Sequence, residues 1–121
     1  MKLMIVDDSS IVRRAIERQI ASDQITEIFQ AANGREALDL FLAHRPEFVT
    51  MDITMPELDG LSCVSRIMHL EPETRIMVIS ALGDAETAIE AVERGANEYV
   101  FKPFSAEDLN TALRNLLENA G

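Results

Sequence analysis

The stretch Leu3-Met4-Ile5-Val6-Asp7-Asp8-Ser9-Ser10-Ile11-Val12 decides the fold. Its first four residues form an unbroken apolar run, too short for a helix, as expected of a strand buried on both faces of a parallel sheet. Two acids end the run. After them Ile11, Val12, Ala15, Ile16 and Ile20 recur three or four residues apart, the spacing of an amphipathic helix. Working outward, the same unit recurs to the other end of the chain. Further strands are predicted over Phe48–Met51, Ile76–Ile79 and Tyr99–Phe101. The segment Ile25–Ala32 mixes Thr26, Glu27 and Gln30 with Ile28 and Phe29 and reads as an edge strand. The intervening helices carry Ala37, Leu38, Phe41 and Leu42, then Leu61, Val64, Ile67 and Met68, then Ala88, Ile89, Ala91 and Val92, then Leu109, Ala112, Leu113, Leu116 and Leu117. Asn33 with Glu36 and Ser105 with Asp108 have the spacing of capping boxes, and Gly95 after Arg94 marks a helix stop. Strict strand and helix alternation predicts an α/β fold, with right-handed crossovers and a parallel sheet covered on both faces.

Composition narrows the function classes. The 121 residues hold 11 basic and 21 acidic side chains, a formal charge of -10, and Lys2 and Lys102 are the only lysines. A phosphate-tracking surface needs clustered Lys and Arg, so direct nucleic-acid binding is excluded. The length and 47% apolar content suit one domain over residues 1–121. Cys63 stands alone, which rules out an internal disulfide, a four-cysteine zinc site and a CxxC redox pair. The amino terminus turns acidic too soon for a signal peptide, and no apolar run approaches the roughly 20 residues of a spanning helix. A cytoplasmic setting without membrane contact is expected.

In a parallel sheet the strand carboxyl ends share one rim, where ligands bind. Asp7 and Asp8 follow the first predicted strand, Asp52 the third, Ser80 the fourth and Lys102 the fifth. The second delivers nothing. Each residue alone has an ordinary explanation as a cap, a turn or a surface charge; their convergence does not. Three gathered carboxylates repel unless a cation intervenes, and Lys102 supplies only one charge. A hard divalent ion with oxygen ligands, Mg2+, is the natural second. Such a rim meets a phosphoryl group with a metal, an ammonium, the Ser80 hydroxyl and a backbone amide after Asp52. Asp52, in the middle of the set, is the candidate nucleophile that forms an acyl phosphate.

The run Ile5-Val6-Asp7-Asp8-Ser9-Ser10, the segment Met51-Asp52-Ile53-Thr54-Met55-Pro56-Glu57-Leu58-Asp59-Gly60, the pair Ser80-Ala81 and the closing Phe101-Lys102-Pro103-Phe104 resemble the response-regulator receiver domain of two-component signalling. The likeness covers essentially the whole chain, and it is nearest to the stand-alone receivers typified by the chemotaxis protein of the flagellar motor. It implies a flavodoxin-like, doubly wound, five-stranded parallel sheet in the order 2-1-3-4-5 with five helices on its two faces. It further implies that Asp52 accepts phosphate from a sensor histidine kinase. Asp8 and Asp52 would bind Mg2+ directly, Asp7 largely through water, and the backbone carbonyl of Thr54 would complete the protein ligands. Ser80 resembles the switch hydroxyl, Tyr99 the aromatic that turns inward with it, and the bond before Pro103 is typically cis in this family. The implied output surface, which meets a protein target, is the fourth helix, fifth strand and fifth helix. The chain is then a monomer or a phosphorylation-dependent dimer, and no enzyme beyond its own phosphorylation and dephosphorylation. Thr54 and Leu82 fall where the family tunes phosphate lifetime, and neither side chain suits orienting a water, so fast hydrolysis is not expected.

Other readings fit less well. A receiver within a larger regulator would show the same motifs. A haloacid-dehalogenase-type phosphatase puts its nucleophile in a DxD pattern at the first strand, which Asp7-Asp8-Ser9 lacks, and needs room for a cap domain. In a flavodoxin the same acids would repel the FMN phosphate. The intact set of Asp7, Asp8, Asp52, Ser80 and Lys102 also argues against a phosphate-independent interaction module. His44 and His69, late in predicted helices, receive no catalytic role, and Cys63 reads as core or partly exposed filler. Among the six methionines only Met55, beside the acceptor, stands out.

Overall fold

Strand β1 (Lys2–Val6) sends its side chains alternately into two cores, one on each side of a sheet. Met4 and Val6 pack with Val49, Met51, Ile76 and Val78, whereas Leu3 and Ile5 pack with Phe48, Met77 and Ile79. These relations come from a computed structural model, which describes residues 1–53, 55, 59–81 and 83–118. The remaining strands are β2 (Glu27–Ala31), β3 (Phe48–Asp52), β4 (Arg75–Ala81) and β5 (Glu98–Lys102). Their order is β2-β1-β3-β4-β5, and every neighbouring pair is parallel. The chain leaves β1 toward one edge and returns to lay β3 on its other side, so the point where strand order reverses lies between β1 and β3.

Helices α1 (Ser10–Gln19) and α5 (Ala106–Glu118) cover the Leu3 and Ile5 face through Ile16, Leu109, Leu113 and Leu116. Helices α2 (Gly34–His44), α3 (Gly60–Leu70) and α4 (Ala85–Glu93) cover the opposite face through Ala37, Phe41, Val64, Ile67 and Ala91. The expected caps form. The Asn33 side chain accepts from the Glu36 amide, and Ser105 and Asp108 exchange two bonds. Gly95, at φ 119°, ends α4 in a backbone region open to glycine.

Three details differ from the sequence reading. β3, β4 and β5 run farther toward the rim than their apolar runs, because the ladder continues through Asp52↔Ile79, Ser80↔Phe101 and Ala81↔Lys102 after hydrophobicity stops. β2 begins two residues later than its apolar pattern, at Glu27, where its pairing with Lys2 starts. In α4 only Ala88 and Ala91 are buried, while Ile89 and Val92 point to solvent. Residues 88 and 91 share the sheet-facing side of the helix, and their neighbours are turned about 100° away. No helix among the described residues is long and apolar enough to cross a membrane.

Candidate functional site

The carboxyl ends of β1, β3, β4 and β5 bring the polar residues of the sequence reading to one rim. Asp7, Asp8 and Asp52 each contribute a carboxylate oxygen, and these oxygens lie within 4.8 Å of one another. Asp7 and Asp52 are buried, whereas Asp8 is exposed. The Lys102 ammonium reaches in from β5, 3.2 Å from Asp7 Oδ2 and 3.6 Å from Asp52 Oδ2. The Lys102–Pro103 peptide bond is cis.

The local backbone explains how Asp7 is held. Its amide donates to the Ala31 carbonyl at 3.1 Å, its Oδ1 accepts the Ser9 amide at 2.9 Å, and its Oδ2 accepts from Lys102. Ser9 meanwhile caps α1 by accepting the Val12 amide. One short turn therefore ends a strand, presents an acid and starts a helix. Burial, the largest influence, holds the Asp7 carboxyl above its ordinary value; the Ser9 amide opposes this, and the Asp52 charge adds to the rise. For Lys102 burial is again the largest influence and would lower the ammonium pKa. The Asp52 and Asp7 charges together outweigh it, and the net shift is upward. Both shifts express one fact, a surplus of negative charge in a partly dehydrated place.

The donor set fits a hard divalent cation. Three carboxylates face a single ammonium, all donors are oxygen, and one carboxylate, Asp8, accepts no hydrogen bond among the described residues. Ser80 sits one residue beyond Ile79, the ladder partner of Asp52. Its hydroxyl is fully buried and has no hydrogen-bond partner among the described residues. A buried hydroxyl without an acceptor is costly; those of Thr50 and Thr74 share that condition, and its place at the rim is what sets Ser80 apart. Tyr99 stands on β5 opposite Val78, with its side chain outward, 51% exposed and tilted against Phe101. Thr54 and Leu82 lie outside the described residues.

Two residues escaped the sequence reading. Gly60 opens α3 so close to β3 that a Cβ there would overlap the Asp52 carbonyl oxygen and Ile53 Cα. The signal was the glycine directly after the capping Asp59, which accepts from the Ser62 amide. Arg13, on α1, donates to the Asp7 carbonyl at 2.6 Å, a contact that no periodic pattern announces. The bystanders behave plainly. Cys63 is buried, its thiol pushed up to about 12 chiefly by that burial; His44 stacks on Phe29; Met55 belongs to the core under α2, α3 and α4.

Comparison with known proteins agrees with this geometry. The family described as "Response regulator receiver domain" matches residues 3–114. The chemotaxis protein CheY of Bacillus subtilis is 34% identical over 116 residues, covering 96% of this chain and 97% of that one. The regulatory protein AtoC of Escherichia coli is 39% identical over 117 residues, covering 97% of this chain but only 25% of that protein. Among solved structures, NtrX from Brucella abortus superposes with a TM-score of 0.91 at 31% identity, over 98% of this chain and 27% of NtrX. The order β2-β1-β3-β4-β5 and the helices on both sheet faces are those of the flavodoxin-like fold of these receivers. With the acidic trio, the lysine and the buried hydroxyl on the rim its fold provides, this chain belongs to the response-regulator receiver domain family of two-component signalling.

Proposed function

We propose that Asp52 is the phosphoacceptor of a phosphorelay and that a sensor histidine kinase is its donor. The observation that carries this is the buried Asp52 carboxylate, gathered with two further acids and Lys102 at the sheet's carboxyl rim. In the transfer an Asp52 oxygen bonds to phosphorus as the P–N bond of a phosphohistidine breaks. The electron pair stays on the imidazole nitrogen, which takes up a proton, and Asp52 becomes an acyl phosphate. Asp8 and Asp52 would hold Mg2+ directly. Asp7, whose two oxygens already accept bonds from Ser9 and Lys102, would act through water, and the Thr54 carbonyl would complete the set. When bound, the ion neutralises charge on the phosphoryl oxygens. Lys102 meets another of those oxygens as a point charge, and the Ser80 hydroxyl, which has no partner among the described residues, donates to a third. As Ser80 moves, Tyr99 turns inward from its exposed position. The chain catalyses only its own phosphorylation and dephosphorylation.

The output surface is the face formed by α4, β5 and α5, where Ile89, Val92 and Tyr99 are exposed. A groove of about 500 Å³ there is lined by Tyr99, Phe101, Pro103, Asp108 and Thr111. A cytoplasmic protein target docks on it, and the end-to-end match to CheY favours control of chemotaxis, with the protein a monomer or a phosphorylation-dependent dimer. A receiver belonging to a larger regulator is the second reading, favoured by the match to a quarter of AtoC. Incubation with Mg2+ and acetyl phosphate, followed by intact mass, tests the acceptor. One base-labile phosphoryl group is expected on the wild type and none on Asp52→Asn. Continuous substrate turnover would point instead to a phosphatase, and no modification at all to a phosphate-independent module.

A further inference from the structure

We propose that Arg13 is a positioning residue that aims the Asp8 carboxylate at the cation, an inference that rests on the metal site proposed above. Arg13 lies in the first half of α1, half-buried, and its Nη1 donates to the Asp7 carbonyl oxygen at 2.6 Å. That carbonyl belongs to the peptide unit joining Asp7 to Asp8. Because a peptide unit is planar, fixing its oxygen fixes the direction in which the Asp8 Cα leaves it. The rest of Asp7 is already tied, through its amide to Ala31 and its two carboxylate oxygens to Ser9 and Lys102. Among the described residues Asp8 has no such ties. Its carboxylate is exposed and accepts no hydrogen bond among the described residues, so its aim depends on the backbone that Arg13 holds.

The arginine is itself braced. Its Nε donates to Gln30 Oε1 at 3.1 Å, and Gln30 Nε2 donates to Glu17 Oε2 at 3.3 Å. Gln30 belongs to β2, the strand that brings no side chain to the rim, so β2 acts on the site at one remove. Electrostatics alone would give Arg13 the opposite effect. A guanidinium beside a cation site repels the cation, so an arginine acting only through its charge would weaken metal binding. A planar fork that holds one carbonyl and one amide oxygen is a geometric device, and lysine cannot reproduce it.

The two roles therefore predict opposite signs. Mg2+ binding is measured by calorimetry on the wild type, Arg13→Gln, Arg13→Lys and Gln30→Ala, with metal-free thermal midpoints and acetyl-phosphate labelling of Asp52 across a Mg2+ series. Positioning predicts that both Arg13 variants bind Mg2+ about 10- to 100-fold more weakly, the usual loss when a partner orienting a metal ligand is removed. Gln30→Ala should lose less in the same direction. The labelling rate at saturating Mg2+ should return to the wild-type value, which a general loosening of the fold would not allow. Tighter binding by Arg13→Gln with wild-type binding by Arg13→Lys would overturn the proposal in favour of simple charge. Unchanged affinity in all variants, or a labelling defect that Mg2+ does not repair, would also overturn it. A wild type that binds no Mg2+ would remove the metal site itself, and this inference with it.

Discussion

Replacing Lys102 with methionine should move two measurable quantities in opposite directions. The ammonium lies 3.2 Å from Asp7 and 3.6 Å from Asp52. At an effective dielectric of about 20 these contacts are worth roughly 5 and 4.6 kcal/mol before desolvation is counted. The net is much smaller. Removing one partner of a buried pair costs about 3–5 kcal/mol, because the remaining charge is stranded. The Lys102 side chain is 32% exposed, so solvent screens part of this and about 2–3 kcal/mol remains. At roughly 2 cal/mol/K of unfolding entropy per residue, that corresponds to a thermal midpoint lowered by about 10 °C in EDTA. Mg2+ should behave the other way. Without the competing ammonium the acidic trio should bind it roughly tenfold more tightly, about 1.4 kcal/mol. Titrated Mg2+ should then return much of the lost midpoint by mass action. Thermal melts in EDTA and across a Mg2+ series, with calorimetric titration, measure both effects. A metal-free midpoint within about 2 °C of wild type, or weaker Mg2+ binding by the variant, would refute the view that Lys102 neutralises the cluster.

Three other substitutions probe the same scaffold. Gly60→Ala forces a methyl group onto the backbone of Asp52 and Ile53, which cannot swing aside; about 3 kcal/mol of stability and most acetyl-phosphate labelling should be lost, read by denaturant melts and intact mass. Asn110 on α5 donates to the Gln19 and Ala106 carbonyls and accepts the Ala21 amide, clasping the end of α1; Asn110→Ala should cost about 1–2 kcal/mol in a denaturant melt and leave labelling at saturating Mg2+ unchanged. For Asp7, the folded carboxyl titrates above its unfolded value of 3.8, so it binds its proton first on the folded protein. Between those two values stability rises as pH falls, and the cost of holding Asp7 ionised is felt in full only above the folded value. In EDTA, Asp7→Asn should melt above wild type at pH 7, with the gap closing as pH falls toward 4; a gap independent of pH would count against the charge-surplus account. Lys102, whose folded pKa is raised, contributes its stability below 10.5 and loses it only in more alkaline solution, outside that range.

Much of this molecule is legible in the sequence because burial on both faces leaves a coarse signature. Leu3 to Val6, Phe48 to Met51, Ile76 to Ile79 and Tyr99 to Phe101 read as strands of a covered sheet, and the acids and lysine that follow three of them gather at one rim. The strand ends were less legible. Asp52, Ser80 and Lys102 are polar but still paired in the ladder, and backbone pairing does not consult side-chain hydropathy. Ile89 and Val92 misled in the opposite sense, since apolar character alone does not say which side of a short helix meets the sheet. Arg13 and Asn110 were invisible. Each acts on backbone atoms of another segment, at a meeting that exists only after folding. Gly60 lay between, since its small size could be seen but the strand it had to clear could not.

The footing of α4 sets how much a signal must spend to displace it. Two alanines, Ala88 and Ala91, are its buried contacts with the protein interior, and no side chain at Asp84 caps its first turn through the backbone. Withdrawing two methyl groups costs about 1.6 kcal/mol, while a single charge-assisted hydrogen bond to a phosphoryl oxygen contributes about 1.5–3 kcal/mol. Reversing a two-state population from 1:99 to 99:1 takes about 5.5 kcal/mol. On the proposed reading, a few new bonds at Asp52 are enough to relocate such a lightly moored helix. Any added contact that held α4 in place would leave the domain able to accept its phosphate yet slow to report it.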